Sequence, residues 1–254
     1  MFGFHDFRND RCGSRRVGSS TPVRTRMTIT LITGANKGIG FETARQLLAR
    51  GHVVYVGARD PERGEKAAAA LGARFVRLDV TDDASVAAAL ATVDAAEGRL
   101  DVLVNNAGIL ASETVDGPSA LRAFDVNAVG IVRVTEAALP LLRKSANPLV
   151  VNVTSSLGSF WAVNNPERVE STLPLPLYAA SKAAATMLTV QYAKAHPGIK
   201  FNAVEPGATA TDMTAAMGIG RPVEESAAVV VPLATLGVDG PTGTFSDENG
   251  PLPW

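Results

Sequence analysis

The chain has 254 residues, 46% hydrophobic and 19% charged, and is therefore long enough to bury the core of one α/β domain. Its 24 basic and 25 acidic residues give a formal net charge of -1, which offers no electrostatic basis for binding nucleic acid or an anionic membrane. The longest apolar runs have the length of strands, so we expect no membrane span. A single cysteine, Cys12, and three scattered histidines predict no metal site and a cytoplasmic location.

The first 26 residues differ in composition from the rest of the chain. They are rich in Arg, Gly and Ser and have no periodic apolar pattern, which is typical of a disordered extension. Asp6 and Asp10 argue against an organelle-targeting segment. Met27 stands just before the first predicted strand and is an alternative start. We therefore expect an N-terminal extension over 1–26 and one folded domain over 27–254.

From Thr28 onward, short apolar runs alternate with helical stretches, which is the pattern of a parallel sheet with helices on both faces. We expect strands at 28–33, 53–57, 74–78, 101–105, 148–153, 199–204 and 243–245. We expect helices at 38–50, 61–71, 82–97, 118–144, 178–195 and 223–236. The sequence thus predicts a single α/β domain with a doubly wound, Rossmann-type parallel sheet of about seven strands.

The turn between the first predicted strand and the first helix is rich in glycine. It reads Thr33-Gly34-Ala35-Asn36-Lys37-Gly38-Ile39-Gly40. Glycines there permit a tight turn and let a pyrophosphate approach the backbone at the positive end of the helix. The spacing departs from Gly-x-Gly-x-x-Gly, so a glycine-rich turn without a ligand is the alternative.

The end of the second predicted strand is where such a fold tests the adenosine ribose of a dinucleotide. An acid there binds a free 2′-hydroxyl, whereas Arg59 would pair with a 2′-phosphate. Lys37 in the glycine loop adds a second cation. The sequence therefore favours NADP over NAD, and the alternative is an Arg59 that faces solvent and pairs with Asp60 or Glu62.

Tyr178 and Lys182 lie four residues apart on a predicted helix, so their side chains share one face. A phenol has an unperturbed pKa of about 10, so it donates or accepts a proton near neutral pH only if a nearby cation stabilises its phenolate. Lys182 can supply that charge. A chance pair on a solvated helix is the alternative.

Several motifs follow one another in the order found in the short-chain dehydrogenase/reductase family. They are the glycine loop 33–40, Asp79-Val80, Asn105-Asn106-Ala107-Gly108, Asn127, Ser155, Tyr178-x-x-x-Lys182, and Pro206-Gly207 followed by Thr209 and Thr211. The chain resembles this family from about Thr28 to Trp254. Its Asn-Lys glycine loop, Arg59-Asp60 pair and 206–213 stretch look most like the NADPH-dependent carbonyl reductase branch.

The resemblance implies four catalytic residues. Tyr178 would protonate the carbonyl oxygen as hydride arrives, and Lys182 would hold the nicotinamide ribose and lower the pKa of the phenol. Ser155 would bind the carbonyl oxygen, although the adjacent Ser156 leaves that assignment open by one residue, and a turn hydroxyl is the plain alternative. Asn127 would orient a water, with a surface or kink-associated Asn as its alternative.

The resemblance also implies a cofactor-binding set. Asp79 would accept a hydrogen bond from the adenine amino group and Val80 would pack on the ring, unless Asp79 only caps a helix beside Thr81. The turn after the fourth strand would let the cofactor lie against its backbone, and the stretch after the sixth strand would contact the nicotinamide half. The full set is Gly34, Asn36, Lys37, Gly38, Ile39, Gly40, Arg59, Asp79, Val80, Asn105, Ala107, Gly108, Tyr178, Lys182, Pro206, Gly207, Thr209 and Thr211.

The segment 157–177, between Ser155 and Tyr178, is longer than usual in the family. Its prolines disfavour a regular helix, and its apolar residues could cover the substrate. Apolar side chains around the expected pocket favour an apolar substrate, unless they only pack in the core: Phe160, Trp161, Leu173, Leu175, Leu177, Met213 and Met217. The monomeric carbonyl reductases carry a longer insertion at this point, so a homo-dimer, a homo-tetramer and a monomer all stay open.

Together these features predict an NADPH-dependent oxidoreductase that transfers hydride between nicotinamide and the carbonyl of a small, apolar ketone or aldehyde, reversibly with the alcohol. The alternative is a catalytically silent NADP-binding regulator or scaffold of the same fold. Such a protein need not keep Ser155, Tyr178 and Lys182. A serine hydrolase is disfavoured, since the sequence has no Gly-x-Ser-x-Gly motif.

Overall fold

The computed structural model describes residues 27–110, 114–215 and 218–254, and within these ranges one sheet of eight strands has helices on both faces. The strands are Ile29–Thr33 (β1), Val53–Ala58 (β2), Arg74–Arg77 (β3), Val102–Asn105 (β4), Leu149–Val153 (β5), Lys200–Val204 (β6), Thr244–Asp247 (β7) and Gly250–Pro251 (β8). The α-helices are Gly38–Leu48 (α1), Pro61–Leu71 (α2), Asp83–Glu97 (α3), Gly117–Phe124 (α4), Gly130–Leu142 (α5), Phe160–Asn164 (α6), Pro176–Ala195 (α7) and Val223–Ala234 (α8). The predictions for the extension 1–26 and for Met217 fall outside the described residues.

The strand order across the sheet is β3-β2-β1-β4-β5-β6-β7-β8. The pairs from β3 to β7 are all parallel, and only β8 runs antiparallel to its neighbour β7. The order reverses between β1 and β4, and in such sheets ligands bind at that point, beyond the carboxyl ends of the strands. The predicted doubly wound sheet is confirmed, and the fold places its ligand crevice at the end of β1.

Two apolar layers, one on each face of the sheet, form the core. On one face Leu103 and Phe201 from the strands pack with residues of α3, α5 and α7, and on the other Ile32 and Val151 pack with residues of α1, α2 and α8. The strands β1, β4 and β5 are buried along their whole length, which explains their nearly continuous apolar sequences. This packing holds the strand ends rigidly at one edge of the sheet.

Helix α2 shows how local signals set an element boundary. Asp60 accepts a hydrogen bond from the backbone of Arg63, Pro61 occupies the first turn, and Gly72 ends the helix with a φ of 68°. A capping acid, an initial proline and a left-handed glycine are the signals that define helix ends. The predicted range 61–71 and the observed helix agree.

Three elements differ from the predictions. The stretch 118–144, expected as one helix, consists of α4, a π-helical turn at Asp125–Val129, and α5. The segment 157–177 was expected to lack a regular helix but contains the short α6, whose N-terminal Ser159 accepts a hydrogen bond from the backbone of Ala162. The two-residue β8 is too short for a sequence pattern to show.

Two further observations concern the described part of the chain only. None of its helices is long and apolar enough to cross a membrane. None of its His, Cys, Asp and Glu side chains form a group of three or more able to hold a metal ion.

Candidate active site

Ser155, Tyr178 and Lys182 come together where β5 ends against helix α7. Ser155 begins a 3-10 turn that packs on α7 so closely that a Cβ added to Gly158 would lie 2.6 Å from the carbonyl carbon of Lys182. Only glycine allows this approach. The Ser155 hydroxyl lies close enough to the phenol of Tyr178 to lower its pKa.

The neighbouring Ser156 is directed away from Tyr178. Its backbone N–H donates to Oε2 of Glu205 at 2.5 Å, and its hydroxyl hydrogen-bonds to the carboxylate of Glu170. Of the two serines, Ser155 is therefore the one whose hydroxyl meets the phenol.

Lys182 is only 5% exposed, and its Nζ donates to the carbonyl of Val153 at 2.9 Å. The same Nζ lies 5.7 Å from the centroid of the Tyr178 ring. A Cβ added to Gly108 would lie 3.3 Å from Nζ, so the turn after β4 reaches the same place. The predicted pair on one helix face is thus buried at the end of the sheet.

The electrostatics of the pair differ from the sequence expectation. Burial raises the pKa of Tyr178 above its ordinary value, the negative charge of Glu205 raises it further, and the hydrogen bond from Ser155 lowers it. Burial lowers the pKa of Lys182 to about 8, against an opposing effect of Glu205. The expected lowering of the phenol pKa by Lys182 is not among the effects that set this pKa, and the phenol keeps its proton at neutral pH.

Asn127 lies in the π-helical turn and is 1% exposed. Its Oδ1 accepts from the N–H of Ile109 at 2.8 Å, and its Nδ2 donates to the carbonyl of Ile109 and to the hydroxyl of Ser181, each at 2.9 Å. Asn127 therefore ties the turn after β4 to helix α7. The alternative of a surface Asn is therefore wrong, whereas its place in a π-helical turn agrees with the alternative of an Asn at a helix irregularity.

The glycine loop after β1 is held by the turn after β4. Gly34 has a φ of 64°, and a Cβ added to it would lie 3.0 Å from the Cα of Ala107. Nδ2 of Asn106 donates to the carbonyls of Thr33 and Gly34, and the Thr33 hydroxyl accepts from the N–H groups of Asn106 and Ala107. The loop conformation depends on glycine and on Asn106, a residue of the quoted motif that was not selected as functional.

Gly40→Ala is expected to loosen this loop. The new Cβ would lie 2.5 Å from Nδ2 of Asn106 and 2.9 Å from the carbonyl oxygen of Gly34, which are the two atoms of the clamping hydrogen bond. Overpacking of this kind costs about 1–3 kcal/mol of stability. Thermal unfolding and dinucleotide binding should both weaken. Gly198→Ala is the control, since a Cβ there meets no atom within 4 Å, and equal effects of the two changes would contradict the clamp.

At the adenosine end, Arg59 is exposed just after β2, and its charge helps to lower the pKa of Asp79. Oδ1 of Asp79 accepts from the N–H and the hydroxyl of Thr81, but α3 is capped by Asp82, so Asp79 does not cap that helix. The suggested partner Asp60 instead caps α2 and pairs with Arg63 at 3.5 Å. Arg59 and Asp79 thus lie together beyond the ends of β2 and β3.

Lys37, predicted as a second cation for the 2′-phosphate, forms an ion pair within the protein. Its Nζ pairs with Oδ2 of Asp212 at 2.5 Å, although both side chains are largely exposed. Next to this pair, a Cβ added to Gly38 would lie 3.2 Å from Cγ2 of Thr211. The segment after β6 therefore lies over the glycine loop, which brings Thr211 to the predicted cofactor position.

Other predicted cofactor residues lie in several different places. Asn105 is 4% exposed, and its Nδ2 donates to Asn152 and Thr135, so its side chain belongs to a polar network within the core. The Pro206-Gly207 turn is held by the guanidinium of Arg221, which donates to the Pro206 carbonyl. Thr209 is buried, with its hydroxyl 2.6 Å from that of Ser226. Ile39 packs beside the apolar layer of α1, and Val80 contacts the first residue of α5, Gly130.

The segment 157–177 leaves large apolar side chains open to solvent. Phe160 is 73% exposed and Trp161 42%, and Leu173 of the segment and Met213, which follows β6, are also exposed. These four side chains do not merely pack in the core. The segment is tied to the end of the chain, since the Ser159 hydroxyl donates to the carbonyl of Pro253 at 2.7 Å.

Two residues of the site gave little signal in the sequence. Glu205 lies between an apolar strand and Pro-Gly, where an isolated acid is typical of an exposed turn, yet it is 9% exposed. Arg221 is far along the chain from the Pro206 turn that it holds. Only the pairing of β5 with β6 and the return of the chain at Arg221 place them at the site.

Residues 28–221 match the family model described as short chain dehydrogenase. Among curated proteins, the chain is 36% identical to a short-chain dehydrogenase/reductase of Stachybotrys chlorohalonatus, with 87% of this chain and 88% of that protein covered. It is 34% identical to (-)-isopiperitenone reductase of Mentha piperita, with 85% and 94% covered.

Two solved structures have a similar fold. The NADPH-bound carbonyl reductase from chicken fatty liver aligns with a TM-score of 0.79 at 28% identity, over 90% of this chain and 100% of that one. Salutaridine reductase from Papaver somniferum aligns with a TM-score of 0.76 at 29% identity, over 86% of this chain and 99% of that one.

Proposed function

Because the chain belongs to the short-chain dehydrogenase family, and is therefore an oxidoreductase, we propose that it reduces a ketone or aldehyde with NADPH, reversibly with oxidation of the alcohol. The observation that carries this proposal is the contact of Ser155 with the phenol of Tyr178, with Lys182 buried beside them. A binding protein without turnover would not need a proton donor at the end of the sheet.

The residues around the crevice fit a nicotinamide dinucleotide. The loop at Gly34 and Gly38 presents backbone at the positive end of α1, a place suited to a pyrophosphate. Asp79 has a second carboxylate oxygen available for an adenine amino group, and Arg59 beside it suits a 2′-phosphate. The segment with Thr211 lies over the same loop. When bound, NADPH supplies the hydride.

Tyr178 acts as the proton donor to the carbonyl oxygen. Burial and the charge of Glu205 raise the pKa of its phenol, so the proton is present at neutral pH. Ser155, close to the phenol, can donate to the same carbonyl oxygen and hold it against Tyr178. The proposal thus assigns the carbonyl-binding hydroxyl to Ser155 and not to Ser156, which is engaged by Glu205 and Glu170.

Lys182 supplies positive charge where the phenolate forms. With a pKa of about 8 it is mostly charged at neutral pH, and its Nζ lies 5.7 Å from the ring. Lys182 also has donors left for the ribose of the nicotinamide, since only one is given to Val153. Both amide protons of Asn127 are donated to groups within the protein. The water that Asn127 is proposed to orient must therefore donate to an oxygen of this residue.

The assay for this function is the loss of NADPH absorbance with a panel of aromatic and aliphatic carbonyls. Turnover is expected with apolar members of the panel, because the segment 157–177, which connects Ser155 to Tyr178, exposes large apolar side chains. NADPH binding without turnover of any carbonyl would instead favour the silent regulator or scaffold.

Arg59→Asp is expected to weaken or reverse a preference for NADPH over NADH. Loss of a charge-assisted contact with the 2′-phosphate costs about 1–3 kcal/mol, which is roughly 5–150-fold in kcat/KM for NADPH. Values for NADH should change little. The measurement is kcat/KM with each cofactor for both proteins.

Arg50→Asp is the matched control, because it makes the same charge change at the exposed carboxyl end of α1, away from Asp79. It should leave the preference as it is. If the unmodified protein uses NADPH and NADH with equal kcat/KM, the role given to Arg59 is wrong.

Two further properties belong to the same proposal. A cytoplasmic location is supported by the presence of only one cysteine in the chain. A homo-oligomer and a monomer are distinguished by light scattering coupled to size-exclusion chromatography.

A further inference from the structure

Glu205 is a buried carboxylate at the centre of the site that the sequence did not point to. It directly follows β6 and precedes the Pro206-Gly207 turn, and it is 9% exposed. Burying a carboxylate is costly unless its charge and its hydrogen bonds are used. The contacts of Glu205 show two such uses.

The first use is a bridge between two loops. Oε2 of Glu205 accepts from the N–H of Ser156 at 2.5 Å, and Oε1 accepts from the N–H of Gly207 at 2.8 Å. Ser156 is next to Ser155 at the end of β5, whereas Gly207 belongs to the turn at the end of β6. One carboxylate therefore holds Ser155 and its loop at a fixed position relative to the Pro206-Gly207 turn, which is proposed to contact the nicotinamide half.

The second use is its charge. Glu205 accepts from backbone N–H groups, and no arginine or lysine of the described residues forms an ion pair with its carboxylate. Its ionised form raises the pKa of Tyr178 and of Lys182 on α7, while burial raises the pKa of Glu205 itself against the two backbone hydrogen bonds and the charge of Lys182.

Other charged groups also face this carboxylate. From the segment 157–177, Glu170 repels it and Arg168, which pairs with Glu170 at 2.7 Å, attracts it. Arg221 lies on the far side of the turn and donates to the Pro206 carbonyl. A glutamine here would offer only one acceptor oxygen, so both backbone N–H groups are satisfied by a carboxylate with its two oxygens.

We propose that Glu205 is a positioning residue of the carbonyl-reducing site, which joins the Ser155 turn to the Pro206-Gly207 turn and places a carboxylate near Tyr178 and Lys182. The inference rests on the proposed function for its catalytic part. Its bridging part concerns dinucleotide binding and does not require turnover.

The test compares Glu205→Gln, which removes the charge and replaces one of the two acceptor oxygens by an NH2 group, with Glu205→Asp, which keeps the charge but is too short to reach both loops. Glu205→Gln should shift the pH profile of alcohol oxidation to lower pH by about one unit, because the phenol ionises more easily without a neighbouring anion. Glu205→Asp should keep the profile of the unmodified protein but raise the Kd for NADPH and the KM for the carbonyl several-fold. NADPH fluorescence titration measures the Kd without turnover.

Glu170→Gln is the matched control, since it neutralises the other buried carboxylate on Ser156 and should not shift the profile. An unshifted profile for Glu205→Gln, or an equal shift for Glu170→Gln, overturns the role of the charge. An unchanged NADPH Kd for Glu205→Asp overturns the bridge, and this variant carries the test if Glu205→Gln does not fold. Absence of turnover in the unmodified protein is a failure of the proposed function and leaves the Kd comparison valid.

Discussion

Replacing Tyr178 with phenylalanine is expected to lower carbonyl turnover by about 10²–10⁴-fold, the usual effect of losing a general acid. The substitution keeps the ring and deletes the hydroxyl that Ser155 contacts. Because the ring is retained and NADPH binding does not depend on the phenol proton, the melting temperature and the NADPH Kd should stay close to those of the unmodified protein. The measurement is kcat in the NADPH absorbance assay, with folding checked by circular dichroism.

Tyr192→Phe is the matched control for this prediction. Tyr192 lies on the same helix, and its hydroxyl donates to Oε1 of Glu136 at 2.7 Å, away from Ser155 and Lys182. Its loss should cost about 1 kcal/mol of stability and leave kcat unchanged. Near-normal turnover of Tyr178→Phe would show that the buried pair on α7 is structural, and the proposed mechanism would fail.

Replacing Lys182 with methionine is expected to lower kcat and raise the cofactor KM, because one side chain serves both the phenolate and the ribose. The same change should stabilise the protein near neutral pH. Burial lowers the pKa of Lys182 from 10.5 to about 8, so the folded protein pays for a charged, 5% exposed ammonium. This shift corresponds to a destabilisation of the folded protein by about 3 kcal/mol, which the methionine removes. Loss of the hydrogen bond to Val153 offsets about 1 kcal/mol of that gain in stability.

The sign of the pH dependence follows from the two pKa values of Lys182. Between pH 8 and 10.5 the unfolded chain binds more protons at this residue than the folded chain, so the stability of the unmodified protein rises with pH across that window. The stabilising effect of Lys182→Met should therefore be full below pH 8 and decline above it. Chemical denaturation at several pH values measures this difference.

Lys194→Met, at the exposed end of the same helix, is the control and should give neither the loss of activity nor the pH-dependent stabilisation. A stability difference for Lys182→Met that is constant over the window would mean that Lys182 is not a charged group buried at a cost. An unchanged cofactor KM would remove its role at the ribose.

Elements that carry their own end signals could be predicted from the sequence. Asp60, Pro61 and Gly72 define α2 through contacts within a few residues, and apolar runs such as Leu149–Val153 reveal buried strands. The motif order likewise indicated that the glycine loop, Ser155, Tyr178 and Lys182 share one site. Parallel strands bring their carboxyl ends to one edge, so residues that follow different strands meet there.

Departures from the local pattern appeared only in the structure. The stretch 118–144 has continuous helical periodicity, yet a π-helical turn interrupts it and carries Asn127, which bonds to Ile109 and Ser181. The partners lie 18 and 54 residues away. Helical periodicity depends on residues within one or two turns of each other, so it cannot indicate these distant hydrogen-bond partners.

The sequence by itself indicated most strands and helices, the doubly wound sheet and the candidate proton donor with its cation, because periodicity, caps and motif spacing can be read along the chain. Tertiary structure alone decided that Ser155 rather than Ser156 meets the phenol, that Lys37 pairs with Asp212 across 175 residues, and that Glu205 is buried between two loops. These last properties depend on which loops lie next to each other and on how much water they exclude, and such quantities arise only when distant segments pack together.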